Sequence, residues 1–125
     1  MEGGYRFMNV KITESSVTFK ITEDEMKMLA KGQSLEKSVP MGTNHFVMMI
    51  DPNAEDCFED FQEAPLKLIL DRNESCLMLC TTKDQVEKLV NMGRSKEGLF
   101  AHIDGLDIFL QVDLRADSRP LQKRQ

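Results

Sequence analysis

The sequence predicts an α+β fold of two strand–strand–helix–strand–strand pseudo-repeats with antiparallel sheets, joined by a short acidic helix. Three observations predict it. Segments of alternating apolar and polar residues are typical of strands with one buried face. Helix-capping patterns begin at Thr22 and again at Thr82, sixty residues later. Asp104-Gly105 lies between two alternating segments, as in a two-residue hairpin turn.

The first pseudo-repeat, residues 8–50, begins with a predicted hairpin. Two segments alternate between apolar and polar side chains on either side of a polar turn at residues 13–16. A period of two places the apolar side chains on one face, which we expect to be the core face. These apolar residues are Met8, Val10, Ile12, Val17, Phe19 and Ile21.

A capped amphipathic helix is predicted next. Thr22 and Glu25 have the spacing of a capping box, in which each side chain accepts the other residue's backbone N–H. Gly32 is expected to end the helix, because glycine adopts the left-handed conformation without strain. Two strands are then expected at residues 35–39 and 46–50, on either side of a turn.

The second pseudo-repeat, residues 65–114, has the same order of segments. Leucines alternate on either side of a turn at residues 71–75. Thr82 and Gln85 repeat the capping pattern, with glutamine in the place of glutamate. We therefore favour an internal duplication, whose halves could form one continuous sheet or two packed sheets.

The Asp104-Gly105 turn sets the register of the last hairpin. A type I′ turn at this dipeptide places apolar residues opposite apolar residues on the core face. Those core pairs are Ile103 with Leu106, Ala101 with Ile108, and Leu99 with Leu110. On the opposite face the same register pairs His102 with Asp107 and Phe100 with Phe109.

The stretch Ser16-Val17-Thr18-Phe19-Lys20-Ile21-Thr22, followed by Glu25-Met26 and Leu29-Ala30, resembles the opening of a family of small uncharacterised bacterial proteins, a domain of unknown function. The resemblance is close over residues 8–38 and extends to residues 66–114 as a pattern. It implies a fold and a bacterial cytoplasmic setting, and it supplies no catalytic residue. The chain departs from the family before residue 8 and in the acidic segment.

That acidic segment, residues 51–64, is predicted to be a short helix between the halves. Asp51 reads as an N-cap followed by Pro52 at the first helical position. Its apolar residues have helical spacing and are Ala54, Cys57, Phe58 and Phe61. A calcium loop would need glycine at Asp56 and glutamate at Gln62, so we predict no calcium site.

Composition excludes several classes of function. The net charge is −5, and basic residues cluster only in residues 115–125, which we read as a flexible tail, so no nucleic-acid partner is expected. We expect no membrane span, and we treat residues 1–7 as an extension without a secretory signal. Three cysteines lack zinc-ligand spacing, and we expect reduced thiols in the cytoplasm and no cofactor.

No pattern predicts a catalytic residue, so the sequence favours a small non-enzymatic protein-interaction module. The expected contact residues are Cys76, Met78, Cys80, Phe100 and Phe109, which are apolar where the opposite face of a strand is usually polar. Cys76, Met78 and Cys80 form one row on a predicted strand. Either the acidic helix covers this row, or a protein partner or a second copy does.

The alternative is a small-molecule binder or small enzyme with a pocket between the pseudo-repeats. Its candidate residues are His102, Asp107 and Cys80. His102 beside Asp107 resembles the base and orienting acid of a hydrolase, although no serine or cysteine lies in a strand-to-helix elbow. An ordinary cross-strand polar pair is the favoured explanation of these two residues.

Overall fold

A computed structural model describes residues 8–54, 64–92 and 97–113. In these ranges the chain forms eight strands and two helices, which confirms the α+β class. In chain order they are β1 (Asn9–Ile12), β2 (Ser16–Ile21), α1 (Glu23–Ala30), β3 (Leu35–Met41), β4 (Asn44–Asp51), β5 (Lys67–Asp71), β6 (Cys76–Cys80), α2 (Lys83–Asn91), β7 (Leu99–Ile103) and β8 (Leu106–Val112).

The strands form two four-stranded sheets, and each sheet takes one hairpin from each pseudo-repeat. Sheet A has the order β1-β2-β8-β7, and sheet B has the order β3-β4-β6-β5. The hairpins are antiparallel, whereas the central pairs β2–β8 and β4–β6 are parallel. The sheets are therefore mixed rather than antiparallel throughout. Turn residues determine pairing inside a hairpin, but pairing between hairpins depends on tertiary packing.

The two pseudo-repeats are related by an approximate exchange symmetry. Replacing β1–β4 by β5–β8, and the reverse, converts the strand order of sheet A into that of sheet B. The parallel registers agree as well, because Val17 pairs with Ile108 in sheet A as Leu77 pairs with Met48 in sheet B. Each residue of one pair lies sixty positions from its counterpart in the other. The chain thus folds as two interleaved copies of one unit, with two sheets rather than one.

The last hairpin forms as the sequence predicts. Asp104 and Gly105 have φ angles of 54° and 82°, as a type I′ turn requires, and all five predicted residue pairs are present. The β3–β4 turn is tighter than expected, because Met41 pairs directly with Asn44. Strand β3 consequently includes Pro40, which is tolerated because β3 is an edge strand.

One contiguous apolar core joins the inner faces of both sheets to the two helices. Its largest fully buried side chains include those of Met8, Phe19, Ile21, Leu29, Ile50, Leu66, Leu79, Val86, Ile108 and Leu110. The prediction that every alternating apolar residue faces this core is wrong at two equivalent places. Ile12 is 58% exposed and Leu70 is 57% exposed. Both lie near the ends of edge strands, where the core no longer covers the strand.

Both predicted helix caps are present. Thr22 Oγ1 accepts the N–H of Glu25, and the Glu25 carboxylate accepts the N–H of Thr22, so the capping box is complete. Gly32, with φ of 88°, ends α1. In α2 the Thr82 hydroxyl accepts the N–H of Gln85 at 3.3 Å. No return bond from the Gln85 side chain is present within the described part of the chain.

The acidic helix predicted for residues 51–64 falls largely outside the described residues. Asp51 is the last residue of β4 rather than a helix N-cap, and its carboxylate accepts the N–H of Asn53 in a turn. The predictions for residues 1–7 and for residues 114–125 also lie outside the described residues. The described helices are too short and too polar to cross a membrane.

Candidate functional site

The outer face of sheet A is the surface of that sheet opposite the core. Residues of β2 and β8 alternate between buried side chains and half-buried ones, so every second residue points away from the core. Strand pairing arranges the outer residues in three rows across the sheet. The first row is Ser16, Asp107 and His102, the second is Lys11, Thr18, Phe109 and Phe100, and the third is Asn9, Lys20 and Gln111.

An aromatic pair lies at one side of this face. Phe100 on β7 and Phe109 on β8 are cross-strand partners, and their ring centroids are 5.1 Å apart with a tilt of 44°. This distance is within the range of favourable aromatic pairs. Phe100 is nevertheless 48% exposed, and Phe109 is half-buried. The pair is therefore an ordered apolar surface outside the core.

His102 and Asp107 lie beside the aromatic pair on the same face. His102 Nδ1 and Asp107 Oδ1 are 2.5 Å apart, and both side chains are open to solvent. In the first row Asp107 lies between Ser16 and His102. A hydrolase needs histidine between the nucleophile and the acid, so this order does not form a catalytic triad. The Ser16 hydroxyl instead bonds to the hydroxyl of Thr13 at 2.8 Å.

The other side of the outer face of sheet A carries positive charge. On this side of the face the ionisable residues are Lys11 on β1 and Lys20 on β2. Their neighbours are the polar side chains of Asn9 and Thr18. The face thus divides into a basic half on β1 and β2 and an aromatic half with one acid on β7 and β8.

The outer face of sheet B is more apolar and less exposed. Its central residues, all half-buried, are Val47, Met49, Ile69, Cys76 and Met78. At one end Cys80 is fully buried and forms a cluster with Ala54, which Ile69 and Met78 contact. The Ala54 N–H donates to the Thr81 carbonyl at 3.1 Å. Ala54, which follows β4 in the chain, therefore covers Cys80.

Neither described cysteine has the properties of a nucleophile. Burial raises the pKa of the Cys76 thiol above its ordinary value of 9.0, and the carboxylates of Asp71, Glu36 and Glu74 raise it further. The thiol form is consequently favoured at neutral pH, whereas the thiolate is the reactive form. Cys80 is closed off from solvent.

The structure brings the predicted site residues together in two groups. Phe100 and Phe109 share the outer face of sheet A with His102 and Asp107, whereas Cys76, Met78 and Cys80 belong to sheet B. Cys80 therefore does not join His102 and Asp107 around one pocket. Sequence reasoning did not include Lys11 and Lys20 in the site, although strand alternation marks both as outward-facing.

Within residues 8–54, 64–92 and 97–113, no group of three or more histidine, cysteine or acidic side chains is placed to hold a metal ion. No protein-family model matches the chain, and a search of curated proteins finds no match. The resemblance to a bacterial family thus stays a prediction.

Proposed function

We propose that this protein is a non-enzymatic interaction module that contacts another protein surface through the outer face of sheet A. The observation that carries the proposal is the exposed aromatic pair. Phe100 is 48% exposed while packed against Phe109 in a tilted pair, at a ring-centroid distance of 5.1 Å. Aromatic side chains at the centre of an interface commonly supply much of its binding free energy.

Pre-organisation supports the same surface. Both phenylalanines lie on paired strands of a hairpin whose turn has the preferred type I′ geometry. A rigid strand surface loses little conformational entropy on binding, so more of the apolar contact energy appears as affinity. Polar and charged side chains surround the pair, as in the rim of an interface.

The sheet B residues contribute less to the proposed contact. Met78 and Cys76 are half-buried, and Cys80 has no accessible surface. We therefore assign the contact to Phe100 and Phe109 and leave Cys80 out of it. Cys76 is a free thiol, which supports a reducing, cytoplasmic setting for the protein.

Affinity capture with a matched pair of variants tests the proposal. The wild type, Phe100→Ser and Met41→Ser are immobilised and exposed to a lysate of the source cell. Met41 is the control because it is an exposed apolar residue, 59% accessible, on a strand of sheet B. We expect Phe100→Ser to lose specifically bound protein and Met41→Ser to retain it. The same bound proteins on both variants would contradict the proposed surface.

A further inference from the structure

We infer that the partner of the outer face of sheet A is a second copy of this chain, bound face to face about a two-fold axis parallel to the strands. The inference rests on the proposed function and names its partner. Its basis is the unequal distribution of charge and aromatic surface over the face. The basic half carries Lys11 and Lys20, and the opposite half carries Asp107 and the aromatic pair.

A two-fold axis parallel to β2 and β8 reverses the order of strands but keeps the rows in place. The β1 side of one copy then lies opposite the β7 side of the other, as an isologous contact requires. In the second row, Lys11 of each copy is opposite Phe100 of the other, and Thr18 is opposite Phe109.

These opposed residues are chemically complementary. An ammonium group over an aromatic ring is attracted by the negative face of the ring. In the first row the Ser16 hydroxyl of one copy can donate to the Asp107 carboxylate of the other. No like charges meet across this axis, because the basic half faces the half that contains the acid.

Charge also argues for a second copy over other occupants. A nucleic acid would be repelled by Asp107, which lies in the first row on the central strand β8. A second copy instead places its acid-containing half against the basic half of the face. The face is only four strands wide and three rows deep, so we expect a weak, reversible dimer rather than an obligate one.

Sedimentation velocity over a concentration series, with a reciprocal pair of substitutions, tests the inference. For the wild type we expect the weight-average mass to rise from the 14.3 kDa of one chain toward twice that value. Phe100→Lys places an ammonium opposite Lys11 of the other copy, and Lys11→Glu places a carboxylate against the ring. We expect each substitution to weaken dimerisation at least about tenfold.

The double variant Phe100→Lys/Lys11→Glu should restore dimerisation, because the two introduced groups have opposite charge and face each other across the proposed axis. Lys27→Glu, an exposed change on α1, is the control and should leave the dimer intact. Thermal melts of all variants establish that each is folded, as expected for substitutions at exposed positions.

A wild type that stays monomeric at every concentration overturns the inference. So does a dimer that survives both single substitutions, or two dissociated single variants whose combination fails to reassociate. The proposed function fails separately, when Phe100→Ser retains every captured protein and the wild type does not self-associate. A monomeric wild type whose captured protein is lost with Phe100→Ser would overturn the second copy alone.

Discussion

At the scale of single residues, Glu25 connects two parts of the fold. Its carboxylate accepts the N–H of Thr22 at 2.9 Å and the N–H of Met8 at 2.9 Å, and the residue is buried. We expect Glu25→Ala to lower the free energy of unfolding by about 1–3 kcal/mol, because a buried N–H loses its acceptor. Gln85→Ala, at the equivalent position of α2, should cost less. Urea unfolding measures both, and equal losses would contradict this role.

Gly98 is constrained by a close approach of the backbone. It has φ of 67°, and a Cβ at this position would lie 2.1 Å from the Leu110 carbonyl oxygen. Gly42→Ala is the matched control, since Gly42 has φ of 71° with open space around it. We expect the control to cost about 1–2 kcal/mol in unfolding free energy from φ strain alone, and Gly98→Ala to cost clearly more. Thermal or urea unfolding measures both losses. Equal losses for the two variants would show that the backbone near Leu110 shifts to make room for the added Cβ.

The Cys76 thiol should react slowly and with a shifted pH dependence. Because burial and nearby carboxylates raise its pKa above 9.0, alkylation in a Cys57→Ser background should be slower than that of free cysteine at pH 8 and still be rising above pH 9. The pKa of this thiol is higher in the folded protein than in the unfolded chain. The contribution of the protonated thiol to the free energy of unfolding is therefore present below the unfolded pKa, and it is lost as pH rises through the folded pKa. A rate that levels off below pH 9 would contradict the raised pKa.

At the scale of the helices, the two N-caps are the clearest local determinants. Thr22→Ala removes the acceptor for the Glu25 N–H, and Thr82→Ala removes the acceptor for the Gln85 N–H. Each should cost about 0.5–2 kcal/mol of unfolding free energy. Conservative Thr→Ser changes at the same positions keep the acceptor and should retain most of the stability. Chemical denaturation of the four variants checks this, and an alanine variant as stable as its serine counterpart would argue against the cap.

At the scale of the whole molecule, the two outer sheet faces should respond differently to charge. Met78 on sheet B contacts the buried Ala54–Cys80 cluster, so Met78→Lys places an ammonium group in a half-buried apolar row. We expect about 1–3 kcal/mol of destabilisation, limited because the lysine stem can extend toward water. The state of assembly should be unchanged, in contrast to Phe100→Lys on sheet A. Thermal melts and sedimentation of Met78→Lys measure the two effects, and an equally stable variant that no longer self-associates would reverse the roles of the faces.

The sequence alone determined the features that depend on neighbouring residues. Alternation marked the strands, Thr22 and Thr82 marked the helix starts, and Asp104-Gly105 set the register that joins Phe100 to Phe109. Each arises from local sterics and hydrogen bonding, which a few consecutive residues specify. Most of the aromatic half of the candidate site, which lies on the β7–β8 hairpin, was therefore predictable.

The tertiary structure alone decided which hairpins pair. Sheet A joins β1–β2 to β7–β8 through parallel strands, and this exchange between pseudo-repeats places Lys11 and Lys20 on the same sheet face as Phe109. It also leaves Ile12 exposed at an edge and closes Cys80 beneath Ala54. Pairing between distant segments is selected by the burial of one shared core, a free energy summed over the whole chain that no short segment encodes.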